Sequence, residues 1–140
     1  MASDVLGPVD CIAVEFPGSV ITGVGFRLVM KMVRAGAIRV LDLQFISKAA
    51  DGSVSRVALK DVEHGGDTDI TVWDGAASGL LDADDLTQVG AQIAPGSLAG
   101  ILVYENAWAV PLLTALDEST ARLIGWERIS VDDVVAALGS

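Results

Sequence analysis

PVDCIAVEFPGSVITGVGFRLVMKMVRAGAIRVLDLQFIS, residues Pro8–Ser47, is the stretch whose reading decides the fold. Its two ends repeat every second residue and its middle repeats with a helical period. In Pro8–Phe16, Ile12, Val14 and Phe16 fall on one side and Val9, Cys11, Ala13 and Glu15 on the other, as in a β-strand. Pro17-Gly18 closes that strand. Ile21, Val24, Leu28 and Met32 recur at helical spacing, so Thr22–Ala35 reads as a helix with Gly36 as its C-terminal stop. Arg27, Lys31 and Arg34 make one basic stripe on it. Ile38–Ser47 alternates again, with Leu41, Leu43 and Phe45 opposite Val40, Asp42, Gln44 and Ile46.

Downstream, Asp51-Gly52 supplies a hairpin turn and Val54–Lys60 a third strand. Asp61–Ser78 is acidic, contains glycine and has no clear period, so it reads as loop. Asp82, with Asp84 and Asp85 behind it, caps a helix to about Ala94, because acidic groups satisfy the free N–H groups of a first turn. Leu98–Glu105 reads as a strand, Asn106–Leu116 as a helix, Arg122–Ile129 as a last strand and Ser130–Leu138 as a capped terminal helix. The strand, Glu, helix, strand order of Ile12–Phe45 is echoed in Ile101–Arg128: Glu105 stands for Glu15, and RLIGWER (Arg122–Arg128) for RVLDLQF (Arg39–Phe45).

Two βαβ units in one short chain predict an α+β two-layer sandwich with a ferredoxin-like split βαβ core. The single domain, 1–140, then has halves at about 8–48 and 97–130, with an inserted strand, loop and helix at about 53–94. With helices on one face, the other face would carry Val9, Cys11, Ala13, Val40, Ile46, Ile101 and Val103, too apolar to stay wet.

A length of 140 residues suits one domain, and 51% hydrophobic residues exclude intrinsic disorder. One cysteine, Cys11, excludes an internal disulfide, and one histidine, His64, leaves no zinc-site spacing. Residues 1–10 lack a basic region followed by an apolar one, and no apolar run reaches 18 residues, so a cytoplasmic, non-membrane protein is expected. The net charge of −10 is unevenly divided. Residues 1–60 hold seven basic and five acidic side chains; residues 61–140 hold two and fourteen. So acidic a surface repels phosphate backbones, which argues against nucleic acid and for either a solvated face or a basic protein partner.

Several motifs stop short of a chemistry. Gly18–Gly23 imitates a phosphate-binding loop, but Val24 and Gly25 stand where Lys and Ser/Thr are required. Asp61, Glu63, Asp67, Asp69 and Asp74 offer oxygen ligands for Ca²⁺ at a spacing that matches no calcium loop. Cys11 has no base beside it in sequence, so it reads as a small hydrophobe. Glu15, Asp42, Glu105 and Glu127 lie in or at the end of apolar strands, where an acid must be paired or exposed; Arg39, Arg56, Arg122 and Arg128 are the candidates to pair with them. Trp108 and Trp126 read as core or interface anchors.

PVDCIAVEFPG (Pro8–Gly18), IRVLDLQFISKAADGSV (Ile38–Val54), PGSLAGILVYENAWAVP (Pro95–Pro111) and ERISVDDVVAAL (Glu127–Leu138) resemble a family of small acidic actinobacterial proteins of unknown function. That family is distantly similar to stress-associated proteins with a glycine-rich, membrane-like middle segment. VEFPG, VLDL and EN-x-W are the most distinctive blocks. Where the distant relatives are glycine-rich and apolar, this chain has acidic Asp61–Asp85. The resemblance implies no reaction, cofactor or catalytic residue.

These observations predict a non-enzymatic, self-associating interaction or scaffold protein without cofactor or metal, and the resemblance implies a stress-related role. Its interface or ligand face would hold Val9, Cys11, Glu15, Val40, Asp42, Gln44, Glu105 and Trp108, and Arg27, Lys31 and Arg34 would serve assembly. The competing expectation is a small-molecule or metal-binding protein, or an enzyme, built on the strand carboxylates.

Overall fold

A computed structural model of the chain describes residues 6–19, 21, 24–58, 61–62, 79–125 and 127–139. Strand β1 is Val9–Phe16 and helix α1 is Val24–Arg34, joined across a 3-10 turn at Pro17–Ser19. Gly36, at φ +76°, ends α1: its N–H donates to Val33 O and that of Ala37 to Met32 O, which satisfies carbonyls the helix leaves open. Strand β2, Arg39–Lys48, turns at Asp51-Gly52 into β3, Val54–Val57. The Asp51 carboxylate accepts from Ser53 N at 2.9 Å and Ser53 Oγ at 2.7 Å, locking that turn.

Helix α2, Ala83–Gly90, starts at Asp82, whose side chain accepts from Asp85 N while that of Asp85 accepts from Asp82 N. Strand β4 is Leu98–Glu105, helix α3 is Val110–Glu118 after a 3-10 turn at Ala107–Ala109, and α4 is Val131–Leu138 with Ser130 as its cap.

The sheet order is β1-β4-β2-β3, and every neighbouring pair is antiparallel. Strands β1 and β2 therefore run parallel with β4 between them, linked through α1. Strands β3 and β4 run parallel with β2 between them, linked through α2. These are two interlocked split βαβ units, and the molecule is of the α+β class, consistent with the ferredoxin-like expectation.

Three details differ from the sequence reading. Residues 121–125 and 127–130 form no strand. A strand needs a partner, and both edges of β4 are already taken by β1 and β2. The second crossover is instead supplied by β3 and α2, elements read from sequence as an insertion. Strand β3 stops at Val57 rather than Lys60, and Asp61 N donates to Ala58 O at 2.9 Å in a turn beyond it.

Helices also lie on opposite faces rather than on one. Under α1 pack Ile21, Leu43, Phe45, Val62, Leu98 and Leu102, with Val29 and Met30 against them. Under α2 pack Ile46, Leu81, Leu86, Ile93, Ala99, Ile101 and Val103. Ile46, Ile101 and Val103 were expected on an open face and are buried. Val40 lies on the α1 side, because the register shifts between Val40 and Asp42. A bulge flips the alternation, which no periodicity count detects.

Candidate functional site

Three strand carboxylates of the sequence reading are tied down separately. Asp42, fully buried on β2, accepts from Gln44 Nε2 at 3.0 Å and from Leu81 N at 3.2 Å, so it pins the chain entering α2. Glu15 on β1 accepts from Ala94 N at 2.9 Å and pins the chain leaving α2. Glu105, buried at the end of β4, accepts from Gly7 N at 2.7 Å and from Arg39 Nε at 2.8 Å. Gly7 is required there: a Cβ on it would lie 2.3 Å from Asn106 O. Each acid satisfies a backbone N–H that would otherwise lack a partner. They do not converge on one point, and among the described residues no group of three or more His, Cys, Asp or Glu is arranged to hold a metal ion.

Cys11 is exposed on β1, and burial of its surroundings followed by the charges of Asp85 and Asp42 pushes its thiol pKa up. Such a thiol is a poor nucleophile at neutral pH. Arg27, Lys31 and Arg34 are exposed along α1, beside exposed Leu28 and Met32. Lys31 and Arg34 stand in its last turn, where cations complement the helix dipole. His64 and the acidic residues from Glu63 to Asp74 lie outside the described residues, as does Trp126.

The feature the sequence reading located only in part is β1 itself. Among the described residues it pairs with β4 along one edge and with no strand along the other. None of its eight residues is buried. Ile12 and Val14 are 43% and 45% exposed on the α1 side, and Val9, Cys11 and Ala13 are exposed on the α2 side.

Beside the start of β1 lies a cleft of about 680 Å³, walled on one side by Pro8, Val9 and Asp10 and on the other by Glu127, Arg128 and Ile129. Tyr104, Asn106 and Trp108 form its floor. The Asp10 carboxylate takes Arg128 Nη2 at 2.5 Å and Asn106 Nδ2 at 2.9 Å, and these two bonds hold its pKa below the usual aspartate value. Asn106 also donates through N and Nδ2 to Pro8 O. Trp108, more than half exposed, donates Nε1 to Asn106 Oδ1 at 3.2 Å. Arg128 was legible as a pairing cation; Asp10 and Asn106 were not, because their partners lie roughly a hundred residues away in the chain.

A family profile matches residues 5–140, from the segment before β1 through α4. The chain belongs to DUF6325, a family of unknown function. No curated protein and no solved structure matches it. The DUF6325 match includes both walls of the cleft. Among the described residues no helix is long and apolar enough to cross a membrane.

Proposed function

We propose that this protein is a non-enzymatic, self-associating interaction protein of the cytoplasm. The observation that carries the reading is β1: an eight-residue strand with six apolar side chains, none of its residues buried, and one edge that pairs with no strand among the described residues. Such an edge is a template for another chain, and soluble monomers usually shield it with charge, proline or a covering element. Glu15, Asp42 and Glu105 support the same reading, since each is occupied in holding a backbone segment. The acidic second half of the chain adds a surface suited to a basic partner. The link to stress rests on sequence resemblance alone.

Light scattering at micromolar concentration tests the proposal. A dimer or larger mass is expected, and Ile12→Lys, which puts a charge on the exposed edge strand, is expected to shift the protein to monomer. A monomer mass for the unmodified chain at both low and high salt overturns it.

The cleft favours a second reading, a small-molecule binder. Its volume lies within the range of ligand sites, and it combines aromatic surface with a carboxylate and a guanidinium. A thermal-shift screen of common metabolites separates the two: a hit lost in Trp108→Ala supports the binder.

A further inference from the structure

We infer that the cleft beside the start of β1 takes an organic cation, an alkylated ammonium group seated against Trp108 and Tyr104 with Glu127 and Asp10 as its counter-charges. The inference rests on the small-molecule reading of this cleft and names the ligand class.

Charge narrows the class first. The lining holds two carboxylates, Asp10 and Glu127, against one guanidinium, Arg128, so one negative charge is left over. The guanidinium is already answered, since Arg128 Nη2 lies on Asp10 Oδ2. Asn106 Nδ2 donates to the same oxygen, and Asp10 Oδ1 accepts no bond from a described residue. Glu127 is exposed, and among the described residues it makes no hydrogen bond or ion pair. An anion entering here would face the Glu127 carboxylate and compete with Asp10 for Arg128. A cation meets a surplus carboxylate, and the net charge of −10 draws cations toward the surface.

The floor decides which cation. A small metal ion needs converging oxygens, and among the described residues no group of three or more His, Cys, Asp or Glu is arranged to hold one. Trp108 and Tyr104 offer ring surface, and an aromatic face attracts an organic cation within about 6 Å of the ring centre. Asp10 and Tyr104 are partners in the β1–β4 register, so the sheet itself sets a carboxylate beside a ring.

Trp108, 56% exposed, is fixed at both ends. Its backbone N donates to Ala37 O at 3.1 Å and its Nε1 to Asn106 Oδ1 at 3.2 Å. Asn106 is fixed in turn, because its Nδ2 is engaged by Pro8 O and Asp10, which turns Oδ1 toward the indole. A side chain held in this way before binding loses little freedom when a ligand arrives. The cleft, at about 680 Å³, is larger than an ammonium head, so the ligand carries further atoms beyond it.

The test compares three near-spherical probes of the head group by NMR on the full-length protein: tetramethylammonium, neutral tert-butanol and anionic pivalate. Tetramethylammonium chloride, referenced to sodium chloride at equal strength, should shift the amide crosspeaks of Asn106, Trp108 and Ile129 saturably. The alcohol and pivalate should bind at least about fivefold more weakly. Glu127→Gln, at an exposed position, should weaken the ammonium about threefold and leave the alcohol unchanged. Trp108→Ala should abolish the shifts. Equal binding of the ammonium and the alcohol, or tighter binding of pivalate, overturns the cation assignment and leaves the cleft a small-molecule site. Shifts no larger than sodium chloride gives, with all three probes, overturn the inference. The cleft reading falls with it when the metabolite screen also yields no hit lost in Trp108→Ala.

Discussion

Strands β1 and β4 lie side by side, matched residue for residue from Val9↔Glu105 to Phe16↔Leu98, and six of the eight residues in each are apolar. Six residues of β4 are buried and none of β1. Composition cannot explain the contrast, so position must. Strand β4 has a strand on each side and a helix packed over each face. Among the described residues strand β1 pairs with one strand, and none of its own residues is buried. Burial is here a property of the neighbourhood, and the chain leaves a strand as apolar as β4 at an edge, where a partner has access.

The largest effect expected from this contrast is in packing. Ile101→Ala on β4 removes a side chain only 1% exposed and should cost about 2–5 kcal/mol. Ile12→Ala on β1 should cost under about 1 kcal/mol in dilute protein, since surface changes are small. Urea unfolding of both variants decides it, and equal losses would mean that β1 is covered in solution.

Next comes the pair of tethering acids. Asp42→Ala strands the Leu81 N–H in a buried site and should cost about 1–3 kcal/mol. Glu15→Gln, at the exposed strand, keeps an oxygen for Ala94 N and should stay within about 0.5 kcal/mol. Equal losses in thermal unfolding would erase the distinction drawn between the two strands.

The ends of β1 are held even though its middle is open, and Gly7→Ala probes that. The added methyl meets the Asn106 carbonyl and should cost about 1–3 kcal/mol by overpacking, with crosspeaks of Asn106 and Pro8 neighbours shifted in NMR spectra.

The smallest effect is electrostatic. Asp10 has a depressed pKa in the folded state, chiefly through its bond from Arg128. Its stabilising contribution is therefore complete above the ordinary aspartate value of about 3.8 and fades as pH falls through the lower, folded value. Titration of the Asp10 carboxyl by NMR should show the depression in the unmodified chain and a return toward the ordinary value in Arg128→Ala. An unchanged titration would remove the contact that joins the C-terminal segment to β1.

Local signals placed most elements. Gly36 after a helical run, Asp51-Gly52 between alternating runs, Asp82 ahead of Asp84 and Asp85, and Ser130 ahead of Asp132 and Asp133 each act within a few residues, so they are legible in one dimension. The α+β class followed from them. The strand carboxylates were also legible as residues that need partners, yet the partners were not: Gly7 N for Glu105, Leu81 N for Asp42 and Ala94 N for Glu15 come from distant parts of the chain.

What the amino-acid order determined by itself was the four paired strands and the helices in outline, the caps between them and the division of charge, because propensity and periodicity are local. Only the tertiary structure decided which strand lies at the edge. Alternation cannot count neighbours, so RLIGWERI (Arg122–Ile129) reads as a strand beside β4, although β1 and β2 take both sides of β4. Nor does alternation see the bulge at Leu41, which moves Val40 to the other face. It also cannot say on which side of the sheet a helix returns, and α2 covers the face that would otherwise have been the open one. The exposed stripe that remains is narrower than the sequence implied, confined to β1, because burial is settled by what packs against a surface after the chain has folded back on itself.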